Sequence, residues 1–249
     1  MEAVSSSKKV ALVTGASGGI GSAAALRLAK DGFDIAVHYN SNHESAGILC
    51  EKIKNLGRRC VALKADLSQS EQVISMIEDM RICLGDPDVL CCCAGISEFA
   101  LITDISDHSW NTMLSSNLDS VFYCNREISK LMINRGHGSI INITSVWGIH
   151  GASTESHYSA SKGAIISFSK SLAKELGPSG IRVNCIAPGA IDTAMNSHLD
   201  SDAIEDIISR TPLERLGTPE DVAGTVSFLA SPDSAFVTGC TIEVTGGFY

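Results

Sequence analysis

Short apolar runs alternate along this chain with longer stretches in which apolar residues recur every three or four positions. Runs of about 4–8 residues suit buried strands, and the 3.6-residue period suits helices lying on a core. Val10–Thr14 reads as the first strand, followed by a glycine-rich turn and a helix over Gly19–Lys30. Asp34–Tyr39 is the second strand, and a helix over 44–56 follows it. Gly57 stops that helix, because glycine takes the left-handed conformation at a helix end without steric cost. Cys60–Lys64 is the third strand. A helix over 68–83 has Ser68 placed to cap it, with Glu71 completing a capping box. Further strands are expected at 88–93, 139–144, 181–187 and 240–244. Further helices are expected at 107–134, Ser156–Leu176, 200–210 and 219–230. The last opens on Thr218-Pro219-Glu220, an N-cap followed by proline in the first turn. Strands alternating with helices predict one α/β domain, a doubly wound parallel sheet of about seven strands covered on both faces.

Composition narrows the class. With 249 residues, 44% of them apolar, the chain fills one large core. No run reaches the roughly 18 apolar residues of a membrane span. A polar tail over 1–8 precedes an apolar run too short for a signal-peptide core, so a cytoplasmic protein is expected. The net charge of −9, with no Lys/Arg cluster, argues against a nucleic-acid partner. The nine cysteines form no CxxC and are expected as reduced thiols. Cys91-Cys92-Cys93 reads as a buried strand using cysteine as a small hydrophobe, with neighbours facing opposite sides of the sheet and no metal site.

Two features carry chemistry. Thr14-Gly15-Ala16-Ser17-Gly18-Gly19-Ile20-Gly21 joins the first strand to the first helix. Glycines there let the backbone turn sharply and approach a pyrophosphate, which sits on free N–H groups at the helix N-terminus. No Lys-Ser/Thr pair follows, so this is not a nucleotide-triphosphate loop. The second strand ends in Tyr39-Asn40-Ser41-Asn42, with no carboxylate to grip a ribose 2′-hydroxyl or repel a 2′-phosphate. NADP(H) is therefore expected over NAD(H), with Asn40 and Ser41 at the phosphate. The second feature is Tyr158-x₃-Lys162, a phenol and an ammonium on one helical face. Hydride addition to a carbonyl leaves an alkoxide that needs a proton. A phenol near pH 10 is a poor acid–base group at neutral pH, and a nearby lysine is expected to draw its pKa down. Ser145 closes the fifth strand, where α/β sheets bind ligands, and can hold the substrate oxygen.

The order and spacing of residues 14–21, Asp66-Leu67, Ala94-Gly95, Asn117, Ser145, Tyr158-x₃-Lys162, Asn184, Pro188-Gly189 and Thr193 resemble the short-chain dehydrogenase/reductases over about residues 8–249. The resemblance implies a Rossmann-type fold and an NAD(P)-dependent oxidoreductase acting on CH–OH and C=O groups. Its catalytic residues would be Asn117, Ser145, Tyr158 and Lys162. Its cofactor contacts would be Gly15, Ser17, Gly18, Gly19, Ile20, Gly21, Asn40, Ser41, Asp66, Leu67, Ala94, Gly95, Tyr158, Lys162, Pro188, Gly189, Ile191 and Thr193. Asp66 would bond the adenine, Ala94-Gly95 would lie on a ribose, and Asn117 would hold a water in a proton relay to Lys162. Ile191 and Thr193 would meet the carboxamide. Where the family carries Asn-Asn-Ala-Gly, this chain has Cys92-Cys93-Ala94-Gly95 and lacks two sheet-tying amides.

Within the family the chain is most similar to 3-oxoacyl-acyl-carrier-protein reductases of fatty acid biosynthesis. Their docking arginines are replaced by Gly136 and Ser179, and a position often basic is Glu98. Val146-Trp147-Gly148 and Leu101-Ile102-Thr103-Asp104 resemble instead the reductases of a 5-aminopentanone-type lysine modification on elongation factor P. Glu98, Glu155 and Asp192 would then meet a basic partner. A catalytically inactive regulatory relative is the third reading. Family resemblance also implies a homotetramer through 107–134 and 156–176, where Ser159, Ala160, Ser161, Gly163 and Ala164 allow close helix approach. The stretch 194–212, with Met195, His198 and Leu199, would cover the substrate pocket without identifying its ligand.

Overall fold

The computed structural model describes residues 9–196 and 200–248, so the tail over 1–8 and the pocket-cover positions His198 and Leu199 lie outside the described residues. Seven parallel strands form one sheet: β1 (Val10–Thr14), β2 (Asp34–Tyr39), β3 (Cys60–Lys64), β4 (Val89–Cys92), β5 (Gly138–Ile143), β6 (Ile181–Pro188) and β7 (Thr241–Val244). Their order is β3-β2-β1-β4-β5-β6-β7. The winding reverses between β1 and β4, and ligands bind at such a switch point, beyond the carboxyl ends of the strands. The pairing Thr14↔Cys92 sets the turn after β1 directly beside the segment after β4.

The helices are α1 (Gly19–Lys30), α2 (His43–Asn55), α3 (Ser70–Cys83), α4 (Asp107–Leu114), α5 (Ser120–Arg135), α6 (Trp147–His150), α7 (Ser156–Leu176), α8 (Ser201–Arg210) and α9 (Pro219–Ala230). One apolar core joins α3, α5 and α7 to one face of the sheet; the other joins α1, α2 and α9 to the opposite face. Strand β4 feeds both, with Leu90 and Cys92 in the first and Val89 and Cys91 in the second. Leu12, Leu90 and Ile140 are fully buried, and each such side chain stabilises the fold by about 1.5–3 kcal/mol.

Three local expectations need correction. Helix α3 starts at Ser70 with Gln69 at its cap position and no side-chain cap. The Ser68 N–H and hydroxyl both donate to Asp66 Oδ1, at 3.0 and 2.8 Å, so an Asx turn claims the intended cap residue. Second, the helical run over 107–134 is unbroken but not regular: a π turn over Ser115–Asp119, which contains Asn117, joins α4 to α5. Third, the sheet-tying amides are supplied from elsewhere. Thr14 Oγ1 accepts from the Cys93 and Ala94 N–H groups, and Asn125 and Asn142 bond each other behind Cys92.

Helix α6 was not foreseen. A Cβ on Gly148 would stand 2.8 Å from the Lys162 backbone, and one on Gly163 would stand 3.1 Å from the Gly148 carbonyl. The small residue at 163 thus seats α6 on α7 within the subunit, holding Ser145 and Trp147 against the helix that carries Tyr158 and Lys162.

Candidate active site

The turn after β1 is held from three sides. Gly15 has φ +62°, and a Cβ there would meet the Ala94 backbone at 2.7 Å. The Gly15 N–H donates to His38 Nδ1 at 3.0 Å, and His38 Nε2 donates to the Ala65 carbonyl at 3.0 Å. The Ala16 N–H donates to the His38 carbonyl at 3.0 Å. These bonds fix one neutral tautomer of a buried imidazole, and burial lowers its pKa. His38 is a positioning residue that sequence reasoning passed over. A His38→Leu variant leaves the Gly15 N–H and Ala65 carbonyl unpaired, at about 1–3 kcal/mol each. We expect a lower Tm and cofactor affinity reduced about tenfold by fluorescence titration; unchanged affinity would show that the loop holds its shape without the imidazole.

Helix α1 begins at Gly19 with no side-chain cap on Gly18, so its first N–H groups face the cleft. A Cβ on Gly19 would lie 2.7 Å from Thr193 Cγ2, and one on Gly21 would lie 2.4 Å from the Gly15 carbonyl. The cradle is shaped for close backbone approach, which fits a dinucleotide pyrophosphate. A cleft of about 630 Å³ runs from it. Gly15, Ser17, Gly18, Gly19, Ile20, Gly21, Asn40, Ser41, Asp66, Leu67, Ala94, Gly95 and Thr193 all line this cleft. Cys93, absent from the expected contacts, lines it too.

The cleft continues into a pocket of about 290 Å³ walled by Phe99, Trp147, Met195, Ile207 and Phe248. Ser145, Tyr158, Lys162, Pro188, Gly189 and Ile191 line this pocket, while Gly95 and Thr193 line both spaces. Ile191 is set by a parallel bridge to Gly217. The Trp147 N–H donates to Ser145 Oγ at 3.2 Å, and the Ser145 hydroxyl lies beside the Tyr158 phenol, close enough to lower its pKa. The Lys162 ammonium lies 5.7 Å from the Tyr158 ring centre and donates to the Ile143 carbonyl at 3.1 Å.

Asn117 lines neither space. It sits in the π turn, fully buried. Its Nδ2 donates to the Ile96 carbonyl and to Ser161 Oγ, and its Oδ1 accepts from the Ile96 N–H. A Cβ on Gly95 would stand 3.1 Å from Asn117 Oδ1 and 3.3 Å from Lys162 Nζ, so Asn117 and Lys162 converge behind Gly95. Asp66 spends one carboxylate oxygen on Ser68.

The electrostatics depart from expectation. Burial pushes the Tyr158 phenol up to about 12, against the help of the Ser145 hydroxyl and with a smaller push from Glu155. Burial brings Lys162 down to about 8. Among the protein's own groups, desolvation dominates the phenol's pKa, and the Ser145 hydroxyl opposes it. Glu155 is a second surprise: the residue is 6% exposed, lines the pocket, and its carboxyl makes no hydrogen bond among the described residues. Burial lifts its pKa to about 7. Glu98, by contrast, is tied to Ser109 and to the buried His157, and Asp192 is exposed.

A sheet of this winding, with its glycine turn over the carboxyl edge, defines the dinucleotide-binding oxidoreductases as a class. The chain belongs to the short-chain dehydrogenase/reductase family within that class. A family model described as enoyl-(acyl carrier protein) reductase matches residues 15–249. The chain is 38% identical over 241 residues to the 3-oxoacyl-[acyl-carrier-protein] reductase FabG of Staphylococcus epidermidis, covering 97% of this chain and 99% of that one. It is 40% identical over 240 residues to the 3-oxoacyl-[acyl-carrier-protein] reductase of a Synechocystis species, covering 96% of each. Nodulation protein G of Azospirillum brasilense is 38% identical over 241 residues, covering 97% of this chain and 98% of that protein. No helix among the described residues is long and apolar enough to cross a membrane.

Proposed function

We propose that the protein is an NADPH-dependent ketone reductase, most like a 3-oxoacyl-[acyl-carrier-protein] reductase. The observation that carries this reading is the convergence of Ser145, Tyr158 and Lys162 on one pocket that opens from the cleft, with Lys162 5.7 Å from the Tyr158 ring centre. The family description and the names of the relatives refer to reduction of C=C and C=O bonds respectively. Two adjacent hydroxyls suit an oxygen, and they favour the carbonyl.

A bound nicotinamide supplies the hydride. Ser145 orients the substrate oxygen, and Tyr158 donates the proton that the nascent alkoxide takes up. An alkoxide is about as basic as hydroxide, whose conjugate acid has a pKa of about 15.7. A phenol at about 12 therefore still donates downhill. Lys162, mostly charged below about pH 8, stabilises the phenolate left behind. Asn117 holds the π turn against Ile96 and serves the relay that returns a proton through Lys162. Asn40 and Ser41, in the cleft at a strand end that carries no carboxylate of its own, support NADPH over NADH.

A second reading rests on Glu155. A desolvated carboxyl on a pocket wall favours a ligand that brings it a positive charge. An amine-bearing ketone would do so, as in the 5-aminopentanone-type modification of elongation factor P. Gly136, Ser179 and Glu98, in place of basic residues, leave an acidic carrier with less positive charge to meet. The test is NADPH consumption with 3-oxoacyl thioesters beside amine-bearing ketones, in the wild type and in Glu155→Gln. The first reading expects thioester turnover within about threefold in the variant. A selective loss of about tenfold or more on the amine substrates, roughly one charged hydrogen bond, would install the second. A protein that binds neither NADPH nor NADH ends both.

A further inference from the structure

We propose that Cys50 and Cys60 form a second reactive site, a dithiol that reduces a peroxide and closes to an intramolecular disulfide tying α2 to the edge strand β3. The two Sγ atoms stand 2.8 Å apart. That is about 0.8 Å longer than a disulfide bond. It is also well inside the contact distance of about 3.5–4.0 Å that suits even the smaller carbon atom. Cys50 lies on α2 and Cys60 opens β3, so the sulfurs meet between a helix and the strand it covers.

The two thiols have different roles. The Cys60 S–H donates to Cys50 Sγ. That donation, with the charge of Lys54 one helical turn along, lowers the Cys50 pKa, while the same bond and burial raise that of Cys60. Cys50 is the nucleophile, and Cys60, the more exposed of the two, is the resolving thiol. The Cys50 thiolate attacks one peroxide oxygen. The S–O bond forms, the O–O bond breaks and hydroxide leaves, giving a sulfenic acid. Cys60 sulfur then attacks Cys50 sulfur; the S–S bond forms, the S–O bond breaks, and the Cys60 proton leaves with the oxygen as water. Each sulfur is oxidised by one electron, and hydrogen peroxide is reduced to two waters.

The rest of the molecule sets this pair apart. Cys91 and Cys93, the second just past the end of β4, also bring their sulfurs together, but their Sγ atoms are 3.4 Å apart, and the hydrogen bond and burial hold Cys91 well above the usual thiol range. Cys83 is exposed and has no sulfur neighbour among the described residues. The closed loop between Cys50 and Cys60 is short and lies in one βαβ unit, so the cross-link restrains the unfolded chain without pulling on the nicotinamide pocket.

The full-length protein, reduced and then treated with one to a few equivalents of hydrogen peroxide, tests this. Intact mass after thiol alkylation should show two blocked thiols per chain, and digestion without reductant should yield one peptide pair linking Cys50 to Cys60. Tm should rise by about 5 °C, as expected for a short closed loop in a chain of this size. A dithiol reductant should reverse both changes. Cys60→Ser and Cys50→Ala should each abolish the linked pair, and Cys83→Ser should leave it intact. Oxidation of Cys83 with no Cys50–Cys60 pair overturns the proposal, as does a linked pair made through any other cysteine. Two blocked thiols per chain in Cys60→Ser, where only the unresolved Cys50 sulfenic acid should remain, overturn it equally.

Discussion

Tyr158→Phe is expected to lower kcat by about 10²–10⁴-fold, the usual worth of a positioned general acid. The substitution removes one oxygen and leaves the ring where it is packed, 7% exposed. Ser145 Oγ keeps the Trp147 N–H as a partner, so the pocket keeps its shape. Cofactor affinity should fall by no more than about tenfold, the equivalent of one neutral hydrogen bond. The signature is thus loss of turnover with retained binding, read by steady-state absorbance beside fluorescence titration of NADPH. Turnover in the unaltered protein should also decline as pH rises through about 8, where buried Lys162 loses its charge. A variant that turns over at the wild-type rate would remove Tyr158 from the chemistry.

The second large effect belongs to the glycine cradle. In Gly21→Ala the new Cβ would sit 2.4 Å from the Gly15 carbonyl, and that neighbour is backbone, which cannot swing aside as a side chain would. The turn must open to admit it. Overpacking of this kind costs about 1–3 kcal/mol of stability. The larger loss is in binding. Displacing two N–H groups from a phosphate forfeits about 3 kcal/mol, a hundredfold or more in Kd, at about 1.5–3 kcal/mol for each bond to a charged group. Calorimetric titration of NADPH, beside a thermal melt, separates the two effects. Native affinity in a folded Gly21→Ala protein would mean that the pyrophosphate lies elsewhere.

The strands were the most legible part of the fold, and for a physical reason. Strands of a parallel sheet covered on both faces are apolar at successive positions, so β1 stands out as Val10–Val13 and β2 as Ile35–Val37. The pairing of Tyr158 with Lys162 was legible as well, because helical spacing alone puts them on one face. What escaped depends on contacts distant in the chain. His38 reaches Gly15 across the sheet, from one strand to its neighbour. Gly148 and Gly163 reveal their purpose only when α6 docks on α7. Residues 115–119, Ser-Ser-Asn-Leu-Asp, carry no sign of the wider winding they adopt. The pKa of Tyr158 departs from expectation because helical spacing reveals a charged neighbour but not how deeply the phenol is buried. For the same reason nothing in the sequence set Glu155, on the pocket wall, apart from Glu98 and Asp192.

The π turn has a mechanical corollary. It amounts to one residue beyond what regular winding needs, and each residue of an α-helix advances the azimuth by about 100°. The rod from α4 to α5 therefore carries a phase step at Asn117, which lets its first half lie on α7 while its second half also reaches α3. Length in this rod is not interchangeable with length in a loop. Excising a single serine from 115–116 would erase the step and swing Asn117 off the Ile96 backbone, whereas the same deletion in a surface turn would pass with little consequence.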